Sequence, residues 1–304
     1  MIGIIGATAL GKTKLATQLA AEIGGAVISA DSRQVYKGMD IGTGKELHDF
    51  QFGNKKIAYY LIDILDAGEE YDVFRFQRDF YRAYHDAVAK DLQPILCGGT
   101  GFYIEAAIKD TQFIEVPENA ELRKELQLKS LEELQQILKN LRGKLHNSSD
   151  LLERNRLVRA IEIETLKAQS PAEAKKSPVK DYMMFGLRSS RPKLHQRITF
   201  RLDQRLKNGL IEEVQRLLNA GLDHETLSYY GLEYRYVSLY LQGKMQKNDM
   251  RNHLLKAIKQ FAKRQETWFR RMEKKGEIIY WLDAEEEVEK NLDNIIKKIG
   301  ELDG

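Results

Sequence analysis

The N-terminal third of the chain alternates short apolar runs with stretches in which apolar residues recur every three or four positions. The apolar runs predict strands at 2–5, 26–30, 60–64 and 94–97, separated by amphipathic helices. Aromatic residues at helical spacing precede the last of these strands, and such a stripe is far more typical of a core than of a binding site. The alternation therefore predicts a parallel sheet wrapped by helices.

The pattern changes near residue 115, where charged residues and leucines at helical spacing replace the alternation. We expect an all-helical insertion over 115–179, which ends in a segment containing lysine and proline. The predicted organisation is then one core, formed by residues 1–114 and 180–304, interrupted by this insertion.

The pattern after the insertion predicts a return to the sheet followed by a helical C-terminal region. The predicted elements are a strand at 182–187, long helices from Lys193 and over 249–274, and a last strand at 278–282.

Composition places the chain among ordinary globular proteins. Its 304 residues are 42% hydrophobic and 31% charged, which suggests about two domains with a substantial core. No apolar run approaches the roughly 18 residues that cross a bilayer, so we expect a cytoplasmic protein with no membrane segment. The single cysteine, Cys97, lies in an apolar run and predicts a reduced core thiol, and the histidines show no zinc spacing.

The first apolar run leads directly into a sequence that fits the phosphate-binding pattern G-x-x-x-x-G-K-[ST] and is followed by a helical period. The matching residues are Gly6, Ala7, Thr8, Ala9, Leu10, Gly11, Lys12 and Thr13. Backbone amides and the helix dipole would hold an anion, Lys12 would add a charge, and the Thr13 hydroxyl could hold Mg²⁺. This predicts an α/β fold with a P-loop NTPase-like parallel sheet. The pattern leaves open whether the phosphates belong to a cleaved donor, a leaving group or a regulatory nucleotide.

Polar residues follow other predicted strands, and ligands of open parallel sheets bind beyond the carboxyl ends of strands. Asp31, after the second strand, could accept a proton, bind a metal or cap a helix, and position alone does not decide. Asp63 could stand near a magnesium ion, although a cap is the favoured interpretation. Three glycines around Thr100 would allow a close approach to a ligand, and a tight turn would explain two of them.

Charge is unevenly distributed although the net charge is only +3. Residues 251–275 contain nine basic and two acidic side chains, and several of the basic ones lie on one helix face. Such a stripe suits a phosphate backbone but could also be a solvated face. Arg154, Arg156 and Arg159 lie close to two glutamates in the insertion, and a salt-bridged surface is their usual meaning.

Seven segments in order resemble the signature segments of the bacterial tRNA dimethylallyltransferase family, and the likeness spans nearly the whole chain. These segments are Gly6-Ala7-Thr8-Ala9-Leu10-Gly11-Lys12-Thr13, Asp31-Ser32-Arg33-Gln34-Val35-Tyr36-Lys37-Gly38-Met39-Asp40-Ile41-Gly42-Thr43, Leu61-Ile62-Asp63, Gly98-Gly99-Thr100-Gly101-Phe102-Tyr103, Arg159-Ala160-Ile161-Glu162, Leu194-His195-Gln196-Arg197-Ile198 and Lys263-Arg264-Gln265-Glu266-Thr267-Trp268-Phe269-Arg270.

The resemblance implies transfer of a dimethylallyl group from dimethylallyl diphosphate to N6 of the adenosine just 3′ of the anticodon, with Mg²⁺ and release of diphosphate. It makes Asp31 the general base, places Thr8 at the reaction centre and assigns Lys12 and Arg201 to the diphosphate. It also implies a set of tRNA contacts, and we expect a monomer. The implied tRNA-binding residues are Asp31, Ser32, Arg33, Gln34, Thr100, Asn155, Arg156, Leu157, Val158, Arg159, Lys263, Arg264 and Gln265.

The chain departs from the family pattern at Ala7, where proline is usual, and at Leu10, where serine is usual. Because the loop acts mainly through backbone amides, we expect anion binding to survive both changes. Three alternatives remain. An adenylate isopentenyltransferase would need neither the insertion nor the basic helix, a small-molecule kinase would transfer a γ-phosphate, and an RNA-binding NTPase would not require Asp31.

Overall fold

A computed structural model describes residues 1–110, 113, 116–142, 154–169 and 176–303. Six strands form one parallel sheet in the order β5-β2-β6-β1-β7-β8, where the central strand β1 is buried throughout. A separate antiparallel pair consists of β3 and β4. The strands are β1 (Ile2–Gly6), β2 (Gly25–Ser29), β3 (Gln51–Phe52), β4 (Lys55–Lys56), β5 (Ala58–Tyr60), β6 (Gln93–Gly98), β7 (Met183–Arg188) and β8 (Ile279–Asp283).

Helices cover the sheet and fill the C-terminal half of the chain. They are α1 (Lys12–Ile23), α2 (Val73–Ala89), α3 (Gly101–Ile108), α4 (Ala120–Gln127), α5 (Leu131–Arg142), α6 (Arg154–Gln169), α7 (Arg191–Lys207), α8 (Leu210–Asn219), α9 (His224–Tyr229), α10 (Leu232–Leu241), α11 (Lys247–Lys274) and α12 (Val288–Asp303). Within the described residues, none of them is both long enough and apolar enough to cross a bilayer.

The third predicted strand is displaced from the predicted position. The apolar run at 60–64 suggested a strand there, whereas β5 ends at Tyr60 and the backbone turns at Leu61 and Asp63, whose φ angles are 62° and 55°. Leu61 and Ile62 are buried although they lie in a turn. Burial alone therefore produced the apolar run, and the left-handed backbone ended the strand.

The chain divides into two compact units. One comprises Met1–Lys109 and Ser177–Gly304 and contains the sheet, and the other comprises Asp110–Lys176 and contains α4, α5 and α6. The predicted insertion, 115–179, has slightly different borders.

The smaller unit has its own apolar core and a buried carboxylate. Glu162 accepts hydrogen bonds from Arg123 Nε and Nη2 at 2.8 and 3.0 Å, from Arg159 Nη1 at 3.2 Å and from the backbone N–H of Asn119 at 3.0 Å. These donors hold the pKa of Glu162 below its usual value although burial alone would raise it. The core residues are Leu126, Leu134, Leu138, Leu157, Ala160 and Ile161.

Candidate functional site

The phosphate loop, residues 6–13, follows β1 in the middle of the sheet. Gly6 has a φ of 151°, and a Cβ there would lie 2.7 Å from the Leu187 carbonyl oxygen, so only glycine fits. Ala9 and Gly11 adopt left-handed φ angles of 65° and 82°, and no side chain caps α1 at Gly11. The amides of the first turn of α1 are consequently available to an anion beyond the carboxyl end of β1.

Lys12 folds back over this loop, and its Nζ donates to the Ala7 carbonyl at 2.7 Å. Desolvation is the main cause that lowers the pKa of Lys12 to about 8, and the nearby Arg201 lowers it further, whereas Asp31 and Glu46 act in the opposite direction. A buried ammonium of this kind gains stability when an anion arrives, so the loop is electrostatically prepared for phosphate.

Arg201 reaches the same region from α7. Its Nη2 donates to Glu46 Oε1 at 2.8 Å and to the Gly44 carbonyl at 3.4 Å. Its Nε is buried and has no hydrogen-bond partner among the described residues. An unsatisfied guanidinium N–H beside Lys12 is costly unless a ligand accepts it, so Arg201 has the position and the free donor expected of a diphosphate contact.

Asp31 lies just after β2, partly exposed. Its Oδ1 accepts the backbone N–H of Arg33 at 2.8 Å, and its own N–H donates to Ser29 Oγ at 3.3 Å. Residues 31–44 contain turns, bends and a bridge at Tyr36 but no helix, so Asp31 does not cap a helix. No other hydrogen bond to its carboxylate occurs within the part of the chain that the structure describes, so one carboxylate oxygen is free to accept a proton.

Three of the implied tRNA-binding residues, Ser32, Gln34 and Thr100, have different surroundings. Gln34 is committed to the protein, because its Oε1 accepts from Ser29 Oγ at 3.0 Å and its Nε2 donates to the Gly44 carbonyl at 3.3 Å. Thr100 is partly exposed at the start of α3, and its hydroxyl makes no cap. Ser32 is also partly exposed. Ser32 and Thr100 therefore have hydroxyl groups that are accessible for hydrogen bonds to a ligand.

The basic stripe of α11 faces solvent. Lys256 and Lys263 are exposed, and together with Lys259 and Arg191 they line a groove of about 380 Å³ between α7 and α11. Burial and the charges of Lys259 and Arg191 lower the pKa of His195 in the same groove. The concentration of cations on this surface suits a polyanion.

Gln265 differs from Lys263 and Arg264, the other implied tRNA contacts on α11, because its side chain is buried. Its amide bonds to the backbone at Thr8 and at Gly99. Phe261 of this helix is exposed, whereas Phe269 is buried.

The predicted contacts of the smaller unit have mixed positions. Leu157 belongs to its core, Val158 packs against that core, and Arg159 donates from Nη2 to the Val116 carbonyl at 2.7 Å as well as to Glu162. Arg156 is exposed on α6, whereas the side chain of Asn155 lies outside the described residues.

Two family models together match most of the chain. The model described as IPP transferase matches residues 34–272, and the model described as isopentenyl transferase matches residues 1–65. The chain belongs to the IPP transferase family.

Relatives of this family cover nearly the full length of the chain. It is 48% identical to tRNA dimethylallyltransferase 1 of Geotalea uraniireducens over 98% of this chain and 97% of that protein. It is 50% identical to tRNA dimethylallyltransferase 1 of Porphyromonas gingivalis over 93% of this chain and 94% of that one.

Solved structures agree with the fold. The tRNA isopentenylpyrophosphate transferase of Bacillus halodurans has a TM-score of 0.70 at 30% identity, covering 98% of this chain and 95% of its own. A eukaryotic dimethylallyltransferase acting on tRNA has a TM-score of 0.74 at 26% identity, covering 93% and 73%. The resemblance and the predicted α/β fold are thereby confirmed.

Sequence reasoning missed Lys45, whose side chain is completely buried. Its Nζ donates to the Tyr36 carbonyl, to Asp63 Oδ1 and, at 3.0 Å, to Asp40 Oδ1. Asp63 Oδ1 is therefore the partner of a buried cation, and among the described residues no backbone N–H donates to the Asp63 carboxylate as the expected cap would require. No local pattern marks this lysine, because its partners lie in separate turns.

Glu213 of α8 was also missed. Its buried carboxylate accepts three backbone N–H groups, from Asp40, Ile41 and Gly42, at 2.9, 2.8 and 2.9 Å, and the Tyr234 hydroxyl at 2.8 Å. It thus fixes the turn that leads to Gly44, the acceptor for Gln34 and Arg201. A signal did exist, since Glu213 lies three residues after Leu210 and next to Val214 on the apolar face of its helix.

Proposed function

We propose that this protein transfers a dimethylallyl group from dimethylallyl diphosphate to N6 of the adenosine just 3′ of the anticodon in tRNA, releasing diphosphate. The observation that carries the proposal is the convergence of the phosphate loop, Lys12 and Arg201 near Asp31, in a chain similar along its length to enzymes named tRNA dimethylallyltransferase.

The donor's diphosphate would lie on the phosphate loop. The bond that breaks joins carbon to oxygen, so negative charge gathers on the departing diphosphate. The amides at the start of α1, the Lys12 ammonium and the free Nε–H of Arg201 would all point at that charge. Donors fixed in place before the reaction stabilise developing charge by about 3–4 kcal/mol each where single donors have been removed from enzymes.

Asp31 would act on the acceptor. The exocyclic amine of adenine is a weak nucleophile, so a base that takes its proton as the new bond forms is worth about 10²–10⁴ in rate. The turn bond from Arg33 N–H fixes one carboxylate oxygen of Asp31 and leaves the other to accept that proton.

Magnesium fits this site through Thr13 and through the substrate. No group of three or more potential ligands among His, Cys, Asp and Glu occurs in the described residues. Mg²⁺ commonly binds phosphate oxygens and waters with only one or two protein ligands, and the partly exposed Thr13 hydroxyl at the start of α1 offers one. When bound, the ion would add positive charge to the leaving diphosphate.

The tRNA would approach over the basic face of α11. A base buried in an anticodon loop stack must leave that stack to reach the sheet edge, where Ser32 and Thr100 could bind its edge. Lys263 and Arg264 are exposed for contact with the phosphate backbone. With tRNA as the partner we also propose a cytoplasmic location, and we propose that the enzyme acts as a monomer.

The test uses dimethylallyl diphosphate labelled in the prenyl group together with an anticodon stem-loop. We expect label on the adenosine after the anticodon and none when that position is changed to guanosine. Asp31→Asn should keep RNA and donor affinity while turnover falls by a factor of about 10² or more. Transfer of γ-phosphate from ATP, or prenylation of free AMP in place of RNA, would instead support the kinase or the adenylate enzyme.

A further inference from the structure

One side chain of α11 joins two loops of the candidate site. The Oε1 atom of Gln265 accepts the backbone N–H of Thr8 at 2.9 Å, and its Nε2 donates to the Gly99 carbonyl at 2.9 Å. Thr8 belongs to the loop after β1, and Gly99 to the loop after β6. A single planar amide therefore satisfies one donor and one acceptor that lie in different loops, and it is only 7% exposed.

The packing around this amide leaves no space for a side chain at Gly99 or at Gly101. A Cβ at Gly99 would lie 2.3 Å from Gln265 Nε2 and 2.9 Å from the Gly6 carbonyl oxygen. A Cβ at Gly101 would lie 2.2 Å from Trp268 Cδ1. These glycines, expected to let a ligand approach, instead let α11 approach the backbone. The contact between the helix and the two loops is therefore built into the fold.

We propose that Gln265 is a positioning residue that fixes Thr8, on the donor side, relative to Thr100, on the adenosine side, and anchors both to α11. The proposal rests on the proposed function for the roles of Thr8 and Thr100. Thr100 directly follows Gly99, so a shift of the Gly99 carbonyl moves its hydroxyl. Because Lys263 and Arg264 lie on the outer side of the same helix turn, RNA bound there would rest on the element that orders the donor loop.

The geometry argues against the simpler role of Gln265 as an RNA contact. One donor and one acceptor of its amide are used by the backbone, and because the side chain is only 7% exposed, RNA could reach the remaining N–H or lone pair only by displacing these contacts. Breaking either would leave a buried N–H or C=O group without a partner, which is costly.

Gln265→Met removes both hydrogen bonds at nearly constant side-chain length. We expect kcat to fall by about ten- to a hundredfold, since small displacements of reacting groups have effects of this size. The dissociation constant of the anticodon stem-loop should stay within about threefold of the original, because the exposed cations are untouched. Gln246→Met is the matched control, since Gln246 is exposed at the start of the same helix and makes no side-chain cap.

Gln265→Glu gives a signature that a packing role alone does not produce. A protonated carboxyl group can accept from Thr8 and donate to Gly99 as the amide does, whereas a carboxylate would face the Gly99 carbonyl with like charge. Burial favours the protonated form. The rate of this variant relative to wild type should therefore rise as pH is lowered from about 8 to about 6, measured on folded protein.

Hydrogen exchange of the Thr8 amide tests the same bond without any activity. In the free protein we expect slow exchange for wild type and for Gln246→Met, and faster exchange for Gln265→Met. Unchanged exchange, unchanged kcat, or a loss of RNA affinity with kcat retained would each overturn the proposal. If the wild-type protein transferred no prenyl group to RNA, the proposed function would fail, while the exchange result would still decide the role of Gln265.

Discussion

Lys12 illustrates how burial at one residue prepares the site for its ligand. Its pKa is lowered to about 8, mainly by desolvation, so above pH 8 the free protein increasingly loses the charge that a diphosphate needs. A bound diphosphate stabilises the ammonium and raises this pKa again. Affinity for the donor should therefore weaken as pH rises above about 8.

Calorimetry can measure this linkage directly. The last ionisation of a phosphate group lies near pH 6, so the donor keeps its charge over the range that matters. Titration of dimethylallyl diphosphate at pH 8, in buffers with different ionisation enthalpies, should show uptake of about half a proton. Lys12→Met should abolish the uptake. Binding heats that do not depend on the buffer would show that Lys12 is already fully charged in the free protein.

Glu213 is a second residue whose burial has a measurable consequence. In Glu213→Gln, the amide nitrogen would face backbone N–H groups of the 40–42 turn that now donate to the carboxylate. We expect a loss of about 3 kcal/mol in the free energy of unfolding, measured with urea, and weaker donor binding because Gly44 supports Arg201. The adjacent Glu212 is exposed, so Glu212→Gln should change neither quantity. Equal effects of the two substitutions would contradict this account.

Helix α11 shows how one element serves the core and a ligand surface. Leu254, Ile258 and Phe269 are buried on one side, and the cations that line the groove with α7 lie on the other. Replacing Lys256, Lys259 and Lys263 together with glutamine should weaken stem-loop binding and flatten its dependence on salt. Each phosphate that the variant no longer neutralises lowers the slope of log K against log salt by about 0.7–0.9.

The control for this variant is a lysine at the opposite end of the strands. Lys90 follows α2 just before β6 begins, so it lies near the amino ends of the strands. Lys90→Gln should leave the slope unchanged, and kcat at saturating RNA should persist in the triple variant. A triple variant whose slope equals that of wild type would show that the groove does not bind the RNA backbone.

At this scale the sequence predicts elements well wherever periodicity and burial coincide. The phosphate loop, its strand and α1 follow from a local pattern, and α11 begins within two residues of its predicted start. The predicted position of the third strand, 60–64, was wrong because Leu61 and Ile62 are buried in a turn. The contacts of Glu213 and Gln265 could not be predicted, since their partners come from distant segments and only the folded backbone brings the groups together.

At the scale of the whole molecule, all the groups proposed to hold the donor belong to one of the two units. The groups proposed to hold the donor, namely the phosphate loop with Lys12 and Arg201, lie in the unit of Met1–Lys109 and Ser177–Gly304, and so does Asp31. The two points at which the chain leaves and re-enters this unit, near residues 109 and 177, are adjacent, because Ser177 Oγ donates to the Ala107 carbonyl at 2.9 Å. The other unit has its own apolar core. A short glycine and serine linker can therefore replace residues 110–176 without stretching the chain.

The protein in which this linker replaces residues 110–176 should bind dimethylallyl diphosphate with a dissociation constant within about threefold of that of the full chain. None of the groups proposed to hold the donor is removed. Its affinity for the anticodon stem-loop and its turnover should fall, since the RNA contacts that the family resemblance implies on α6, Arg156 among them, would be removed. Thermal unfolding with and without donor establishes that the remaining unit is folded, because a ligand at a hundred times its dissociation constant stabilises the fold by about 2.7 kcal/mol. Undiminished stem-loop affinity in a donor-stabilised protein would remove the helical unit from the RNA interface and leave α11 as the main contact.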